Sequence, residues 1–252
     1  MDKHKKLAGA VLALALLFAV RMFPAHVAFA IVTPAEVTGF GINGTVWQGS
    51  ARIINAGGQQ FRNTEWDLAL SRLFIGQFGG DFKTRWGDGF LEGFGTLSIL
   101  GTIALTESRA SFNAASLESV IGIPRVGGQV SLQLEELEVK ENWPHRLVGT
   151  GEIRNFSSPL MGQGEADIIG NVSLDFDTGT ETDVNAITGK LADMGGPLEL
   201  KGTILLRPPG SYTLKARVKA RDSAPEALKK NLEFLGAPES DGMRIFQLAG
   251  SI

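Results

Sequence analysis

The chain has 252 residues, of which 43% are apolar and 20% are charged, a balance typical of globular proteins and not of disordered tails. Its 32 glycines come with only 10 prolines and no cysteine, which excludes a collagen-like repeat, a disulfide framework, a thiol nucleophile and a cysteine-ligated metal site. The net charge is −3, and past residue 30 no segment except 215–221 concentrates Lys and Arg without acidic neighbours, so we expect no nucleic-acid binding.

The N-terminus has the layout of a bacterial export signal. A basic start of six residues precedes an apolar run of fourteen, an arrangement that keeps the basic end in the cytoplasm. Fourteen helical residues span only about 21 Å of the ~30 Å hydrocarbon core, which suits a cleaved signal, and Ala28-Phe29-Ala30 offers a cleavage site. However, residues 22–32 are apolar again, so the whole stretch can span if Arg21 reaches the outer interface. We favour an uncleaved anchor in residues 1–32, with cleavage as the alternative.

After this segment, apolar and polar residues alternate with a period of two far more often than with helical spacing, which predicts strands. The clearest strand runs from Tyr212 to Arg221. The run from Leu198 to Leu206 precedes it across the turn Arg207-Pro208-Pro209-Gly210, and the two together predict a hairpin. Further strands are predicted at residues 45–54, 60–70, 77–86, 91–104, 110–114, 165–176 and 244–249.

The middle of the chain adds one strand with an irregularity. In residues 130–139 the alternation slips once, at Glu135-Glu136, which predicts a β-bulge. A partner strand is predicted at residues 146–153, after a turn at residues 141–144.

Helical patterns are few. The clearest covers residues 225–235, where Leu228, Leu232 and Leu235 lie on one stripe and Ser223 or Ala224 is the expected cap. Single helical turns are predicted at residues 71–75 and 116–121.

These elements predict an all-β fold after one N-terminal transmembrane helix. We expect an elongated, curved antiparallel sheet, either a β-groove or a sandwich, with few short helices. Residues 33–252 form either one such unit or one made of two similar halves, because strand, short helix and strand recur near residues 60–90 and 110–140.

Motifs that would indicate an enzyme are weak. The segment Gly39–Gly44 matches G-x-G-x-x-G, but a strand-like stretch follows it, which favours a β-turn over a dinucleotide site. His4, His26 and His145 are far apart in the sequence, and no common hydrolase signature is present. The acidic run 175–183 has the oxygen density of a calcium loop without its twelve-residue pattern, so a solvated turn is favoured. We therefore predict no catalytic residue, cofactor or metal ligand.

Trp47, Trp66 and Trp86 recur at spacings of 19 and 20 residues. Buried rings that anchor successive strands are the simpler interpretation. A ligand or partner surface is the alternative, and it requires at least two of the rings to be exposed on one face.

Around the first of these tryptophans, small residues predict a structural corner at the start of the β domain. Alternation places Trp47 over Gly49 and Ala51. Gly44 supplies a turn with positive φ, and Gly49 leaves room for an opposing ring or chain. A binding site is the alternative for this segment.

The segment Gly44-Thr45-Val46-Trp47-Gln48-Gly49-Ser50-Ala51, here called the tryptophan motif, resembles the G-T-x-W-x-G-x-A signature of the type II secretion system protein N family. The basic start, the anchor ending near Arg21 and Pro24, the segment 64–68 and the closing stretch 235–244 are also similar to that family. The positions that carry the resemblance, as structural or partner-binding residues, are Gly44, Thr45, Trp47, Gly49, Trp66, Gly76, Gly236, Asp241 and Gly242.

This resemblance implies a non-enzymatic, single-pass inner-membrane protein with a β-rich periplasmic domain. Its expected partners are the other inner-membrane platform proteins of the type II secretion system and the membrane itself. The family is also similar in strand pattern to AsmA-like proteins, whose curved sheets hold lipid, so a lipid or amphiphile carrier is the alternative function. An antiparallel sheet with one apolar face must cover it with a second layer, with its own curvature, or with a ligand or partner.

Overall fold

The computed structural model describes residues 2–118, 125–141, 143–157, 168–180 and 183–251. The chain divides into two compact units, Met1–Trp86 and Gly87–Ile252. After the N-terminal helices, both consist mainly of antiparallel strands, which confirms the all-β class that the alternation predicts.

The first unit begins with helices and continues with an antiparallel sheet. Its elements are α1 (Asp2–Arg21), α2 (Ala25–Val32), β1 (Thr38–Phe40), β2 (Asn43–Gly44), β3 (Gln48–Ala56), β4 (Gln59–Leu68), a 3-10 helix (Leu70–Ile75) and β5 (Gln77–Trp86). The sheet order is β1-β3-β4-β5, and β2 also pairs with β3. The short 3-10 helix confirms the helical turn predicted at residues 71–75.

The apolar N-terminal segment is helical on both sides of a break. Pro24, in an extended conformation, separates α1 from α2, and its ring lacks the N–H that a continuous helix would need at this position. In the ranges that the structure describes, no helix combines the length and the hydropathy required to cross a membrane.

The second unit is a sheet in which each strand pairs antiparallel with the next one along the chain. Its elements are β6 (Gly89–Ser98), β7 (Ile103–Asn113), a 3-10 helix (Ala114–Leu117), β8 (Gly127–Lys140), β9 (Trp143–Ser157), β10 (Ile168–Thr180), β11 (Asp183–Asp193), β12 (Leu198–Arg207), β13 (Ser211–Ala220), α3 (Glu226–Glu233) and β14 (Arg244–Ser251). This meander joins neighbouring strands by local connections, so the turns β6–β7, β8–β9 and β12–β13 lie at the same end of their strands.

The main core of the second unit lies between α3 and the strands β12 and β13. Leu228 and Leu232, one helical turn apart, are both buried there, as the stripe in the sequence predicts. They pack in one cluster with Leu198 and Val218. The predicted cap is wrong, because Pro225 occupies the N-cap position and no side chain caps the helix.

An ion pair joins the ends of three strands in this unit. The Asp193 carboxylate accepts hydrogen bonds from Arg221 Nη2 at 2.5 Å, from Gly195 N at 3.2 Å and from Leu200 N at 3.3 Å. Burial opposes the ionisation of Asp193, but these hydrogen bonds outweigh it, so the pKa of this carboxyl lies below its usual range. The charged carboxylate therefore links β11, the start of β12 and the residue that follows β13.

Several strand predictions are confirmed. β5 has the predicted bounds, residues 77–86. The β8–β9 register shifts between Leu134 and Glu136, which is the predicted bulge. The hairpin over the two prolines is also present, since Arg207 pairs with Ser211 across it.

Other predictions are wrong or lie outside the described residues. The single strand expected at residues 91–104 is two strands, separated by a turn in which Gly101 N donates to Ser98 O at 2.9 Å. The acidic run 175–183 is mostly strand, because β10 continues to Thr180, and β11 was not predicted at all. The second 3-10 helix begins before the turn expected at residues 116–121, whose end lies outside the described residues, as does the start of the strand expected at residues 165–176.

Candidate functional site

The tryptophan motif forms a tight bend between β2 and β3. Gly44 pairs with Gly49, and Thr45 N donates to Gln48 O at 2.8 Å. Gly44 has a φ of +84°, as predicted, and a Cβ at this position would lie 2.4 Å from the carbonyl oxygen of Gln48. Only glycine therefore fits without displacing the backbone of the bend.

The bend holds the C-terminal end of α1. Trp47, whose exposed fraction is 5%, donates from Nε1 to the carbonyl oxygen of Val20 at 2.8 Å. Val46 N donates to Phe23 O at 3.0 Å, and Pro24 forms an isolated antiparallel bridge with Thr45. Phe23 N also donates to Val20 O, at 3.3 Å, so the Trp47 indole adds a second donor to a carbonyl in the last turn of α1, where the carbonyl groups lack their usual helical partners.

A second indole fixes the motif from the side of the sheet. Trp66, on β4, donates from Nε1 to Val46 O at 3.0 Å. Its ring lies against Gly49, where a Cβ would be 2.4 Å from Cζ2 of the indole. Gly49 thus leaves room for an opposing ring, as predicted. The ring over it is that of Trp66, however, and not that of Trp47, because β3 begins only at Gln48 and Trp47 lies in the bend before it.

α2 also packs against the start of the sheet. Ala25 is buried, and the Phe29 ring lies so close to Gly39 that a Cβ there would be 2.8 Å from Cζ.

The G-x-G-x-x-G match from Gly39 to Gly44 begins within β1 and ends with β2, and it is followed by the bend and then by β3. A strand and not a helix follows it, which confirms the β-turn interpretation.

An open cleft of about 370 Å³ lies beside the motif. Its lining includes the carboxylates of Glu65 and Asp67, the Trp66 ring and the Gln48 amide, which donates from Nε2 to Asp67 Oδ2 at 2.9 Å. Among the residues that the structure describes, no three His, Asp or Glu side chains group closely enough to hold a metal ion. The cleft therefore offers polar contacts to a neighbouring molecule.

Two other positions that carry the family resemblance lie at the ends of helices, outside the tryptophan motif. Gly76 ends the first 3-10 helix with a φ of +70°, and Gly236, which follows α3, has a φ of +95°. These glycines supply left-handed conformations that other residues adopt at a cost.

The closing segment of the chain is held by a cation between two carboxylates. Arg217 Nη2 lies 2.6 Å from Glu239 and 2.6 Å from Asp241. The pKa of Asp241 lies below its usual range. The largest cause is the hydrogen bond from the backbone N–H of Met243, and the hydrogen bond from Arg217 adds to it. Gly242 N donates to Glu239 O at 2.9 Å, so Asp241 and Gly242 belong to a turn, and Arg217 attaches this turn to β13.

Sequence reasoning missed the partners of these residues. The hydrogen bond from Trp47 to Val20 spans 27 positions, and no periodicity of the sequence links them. One signal was available, since a buried indole N–H needs an acceptor and the end of a helix offers free carbonyls.

Gly44 allows a direct test of the bend's steric limit. We expect Gly44→Ala to lower the free energy of unfolding by clearly more than Gly57→Ala. Both glycines have positive φ, but a Cβ at Gly57 meets nothing within 4 Å. The free energy of unfolding of Gly57→Ala should therefore fall only by the cost of placing alanine in a left-handed conformation, about 1–2 kcal/mol. Chemical denaturation of the full chain in detergent measures both variants, and equal losses would show that the bend has room for a side chain.

Comparisons with known proteins find relatives over most of the chain. Residues 35–247 match the family model described as Type II secretion system (T2SS), protein N. The chain is also similar to the Type II secretion system protein N of Vibrio cholerae serotype O1, with 28% identity over 236 residues that cover 91% of each chain. No solved structure matches.

Proposed function

Since the chain belongs to the type II secretion system protein N family, we propose that it is a non-enzymatic component of the secretion machine, anchored in the inner membrane with its β-rich part in the periplasm. The observation that carries this proposal is the family match over residues 35–247. In this proposal residues 1–32 are the anchor, and residues 33–252 form the periplasmic part that contacts other platform proteins.

The exposed surface of α1 supports the anchor. Its large aliphatic and aromatic side chains are exposed along the helix, namely those of Leu7, Val11, Leu12, Leu14, Leu16, Leu17 and Phe18. A continuous apolar surface of this kind is stabilised by a nonpolar medium. The basic start of the chain favours a cytoplasmic N-terminus, and Arg21 suits the outer interface.

We propose that the tryptophan motif orients the sheet of the first unit relative to the membrane segment. The hydrogen bonds from Trp47 to Val20 and from Val46 to Phe23 support this role, because they restrict rotation about the short linker at Pro24. Gly44, Thr45, Gly49 and Trp66 would then be structural positions, which shape or support the bend.

Topology can be tested with single cysteines, because the chain has no cysteine of its own. His4 and Asp222 are both exposed. We expect a maleimide that does not cross the inner membrane to label Asp222→Cys in cells with a permeabilised outer membrane. His4→Cys should be labelled only after the inner membrane is broken. Labelling of both cysteines before lysis, or of neither, would contradict the proposed topology.

Assembly is tested by cross-linking in the native membrane. We expect other secretion components to copurify with the full chain after mild detergent extraction and cross-linking. A chain with a scrambled tryptophan motif serves as the comparison, and recovery of the same components should fall with it. Repeated absence of all secretion components from the native chain would contradict the assembly role.

A further inference from the structure

The tip of the β6–β7 hairpin carries an unusual set of exposed aliphatic side chains. Ile99 and Leu100 have exposed fractions of 75% and 82%. Leu97 and Ile103, which pair with each other across the two strands, are also exposed. Four large aliphatic side chains thus occupy seven consecutive residues, and water surrounds them at considerable hydrophobic cost.

The same hairpin tip is free of charge. No Asp, Glu, Lys or Arg occurs from residue 93 to residue 106, and Glu92 and Glu107 border this range. Because transfer of a charged side chain out of water is very unfavourable, an uncharged tip removes the main obstacle to leaving water.

Three backbone N–H groups of the turn find their acceptors within the turn. Ser98 N donates to Thr102 O at 2.9 Å, and Gly101 N donates to Ser98 O at 2.9 Å. Leu100 N donates to the Ser98 hydroxyl at 3.1 Å. A nonpolar medium favours backbone groups that are satisfied internally, because it supplies no replacement for lost water.

The adjacent hairpin places interfacial residue types next to this tip. Ile103 pairs with Val139, Val139 pairs with Pro144, and Lys140 pairs with Trp143. Trp is enriched at the boundary between water and lipid, and the long side chain of Lys can reach the headgroups.

We infer that the tip of the β6–β7 hairpin inserts into the interfacial layer of a lipid bilayer. This contact goes beyond the proposed anchor, because it uses the second unit and none of residues 1–32. Leu and Ile favour hydrocarbon, whereas the dominant residues of protein interfaces are Trp, Tyr and Arg, with Leu under-represented. The aliphatic, uncharged tip therefore fits lipid better than a protein partner.

The test uses the full chain in vesicles of phosphatidylethanolamine and phosphatidylglycerol. The environment-sensitive fluorophore NBD is attached to Leu100→Cys, and lipids with doxyl-labelled acyl chains serve as quenchers. We expect a blue-shifted emission that the doxyl lipids quench. The matched site is Asp222→Cys, which follows β13 at the opposite end of the strands and should give a water-like, unquenched signal.

A second variant separates insertion from simple proximity. Adding Ile99→Asp to the labelled protein should abolish the quenching, because a carboxylate resists transfer from water. Ile245→Asp, at another exposed isoleucine of the second unit, should leave the quenching unchanged.

NBD at Leu14→Cys in α1 distinguishes this inference from the proposed anchor. Quenching at Leu14 without quenching at Leu100 would overturn the hairpin insertion and leave the anchor intact. Quenching at Leu100 alone would support the hairpin insertion and contradict the anchor. A blue-shifted but unquenched signal at Leu100 would show that protein covers the tip, and this too would overturn the inference.

Discussion

We expect Trp47→Ala to lower the free energy of unfolding by about 3–5 kcal/mol, the usual range for replacing a large buried side chain by alanine. The ring is almost fully buried, and its Nε1 donates to the Val20 carbonyl. The variant removes packing and leaves an acceptor at the end of α1 without this donor. Chemical denaturation of the full chain in detergent measures the loss.

Trp47→Phe is the matched control for the hydrogen bond. It keeps most of the buried apolar area, so its loss should be smaller than that of Trp47→Ala. If Trp47→Ala instead left the unfolding transition unchanged and abolished association with a secretion partner, the motif would be a binding surface and not a structural corner.

The second large effect is expected in the core of the second unit. Leu228→Ala should lower the free energy of unfolding by about 2–5 kcal/mol, because Leu228 is fully buried and its removal leaves a cavity between α3 and the sheet. Thermal or chemical denaturation, followed by a probe in this unit, measures the loss.

Phe234 provides the control at the end of the same helix. Its side chain is larger, but its exposed fraction is 89%. Phe234→Ala should therefore change the free energy of unfolding by no more than about 0.5 kcal/mol. Similar losses for the two variants would contradict the packing of α3 against β12 and β13.

Strands could be predicted where apolar and polar residues alternate regularly, because the two faces of the sheet then differ in composition. β5 and the bulge of β8 follow from alternation and from its single slip. β11 was missed because its sequence from Asp183 to Asp193 mixes small, polar and apolar residues without regular alternation. The β6–β7 turn was missed although Ser98 and Gly101 are residue types that favour turns, because the apolar pair Ile99 and Leu100 between them looks like a continuing strand.

The bend at the candidate site could be predicted from the sequence, but its contact with α1 could not. The positive φ at Gly44 and the free space at Gly49 could be predicted, because glycine lacks a Cβ and suits tight bends and close contacts. The contact with α1 and the identity of the ring over Gly49 depend on tertiary packing. Alternation cannot assign Trp47 to a strand face when β3 starts one residue later.

The junction between the motif and the helical segment is tested most directly by disulfide trapping. Pro24 and Thr45 are antiparallel bridge partners, whose Cα atoms are typically about 4.5–5.5 Å apart, within the range of a disulfide. The chain has no other cysteine, and a Pro24→Cys and Gln60→Cys pair is the control, because Gln60 pairs with Asn55 near the other end of β3. In native membranes we expect mild oxidation to form an intramolecular disulfide in the Pro24→Cys and Thr45→Cys variant and none in the control. Two thiols that react freely with maleimide in that variant but form no disulfide would contradict the junction.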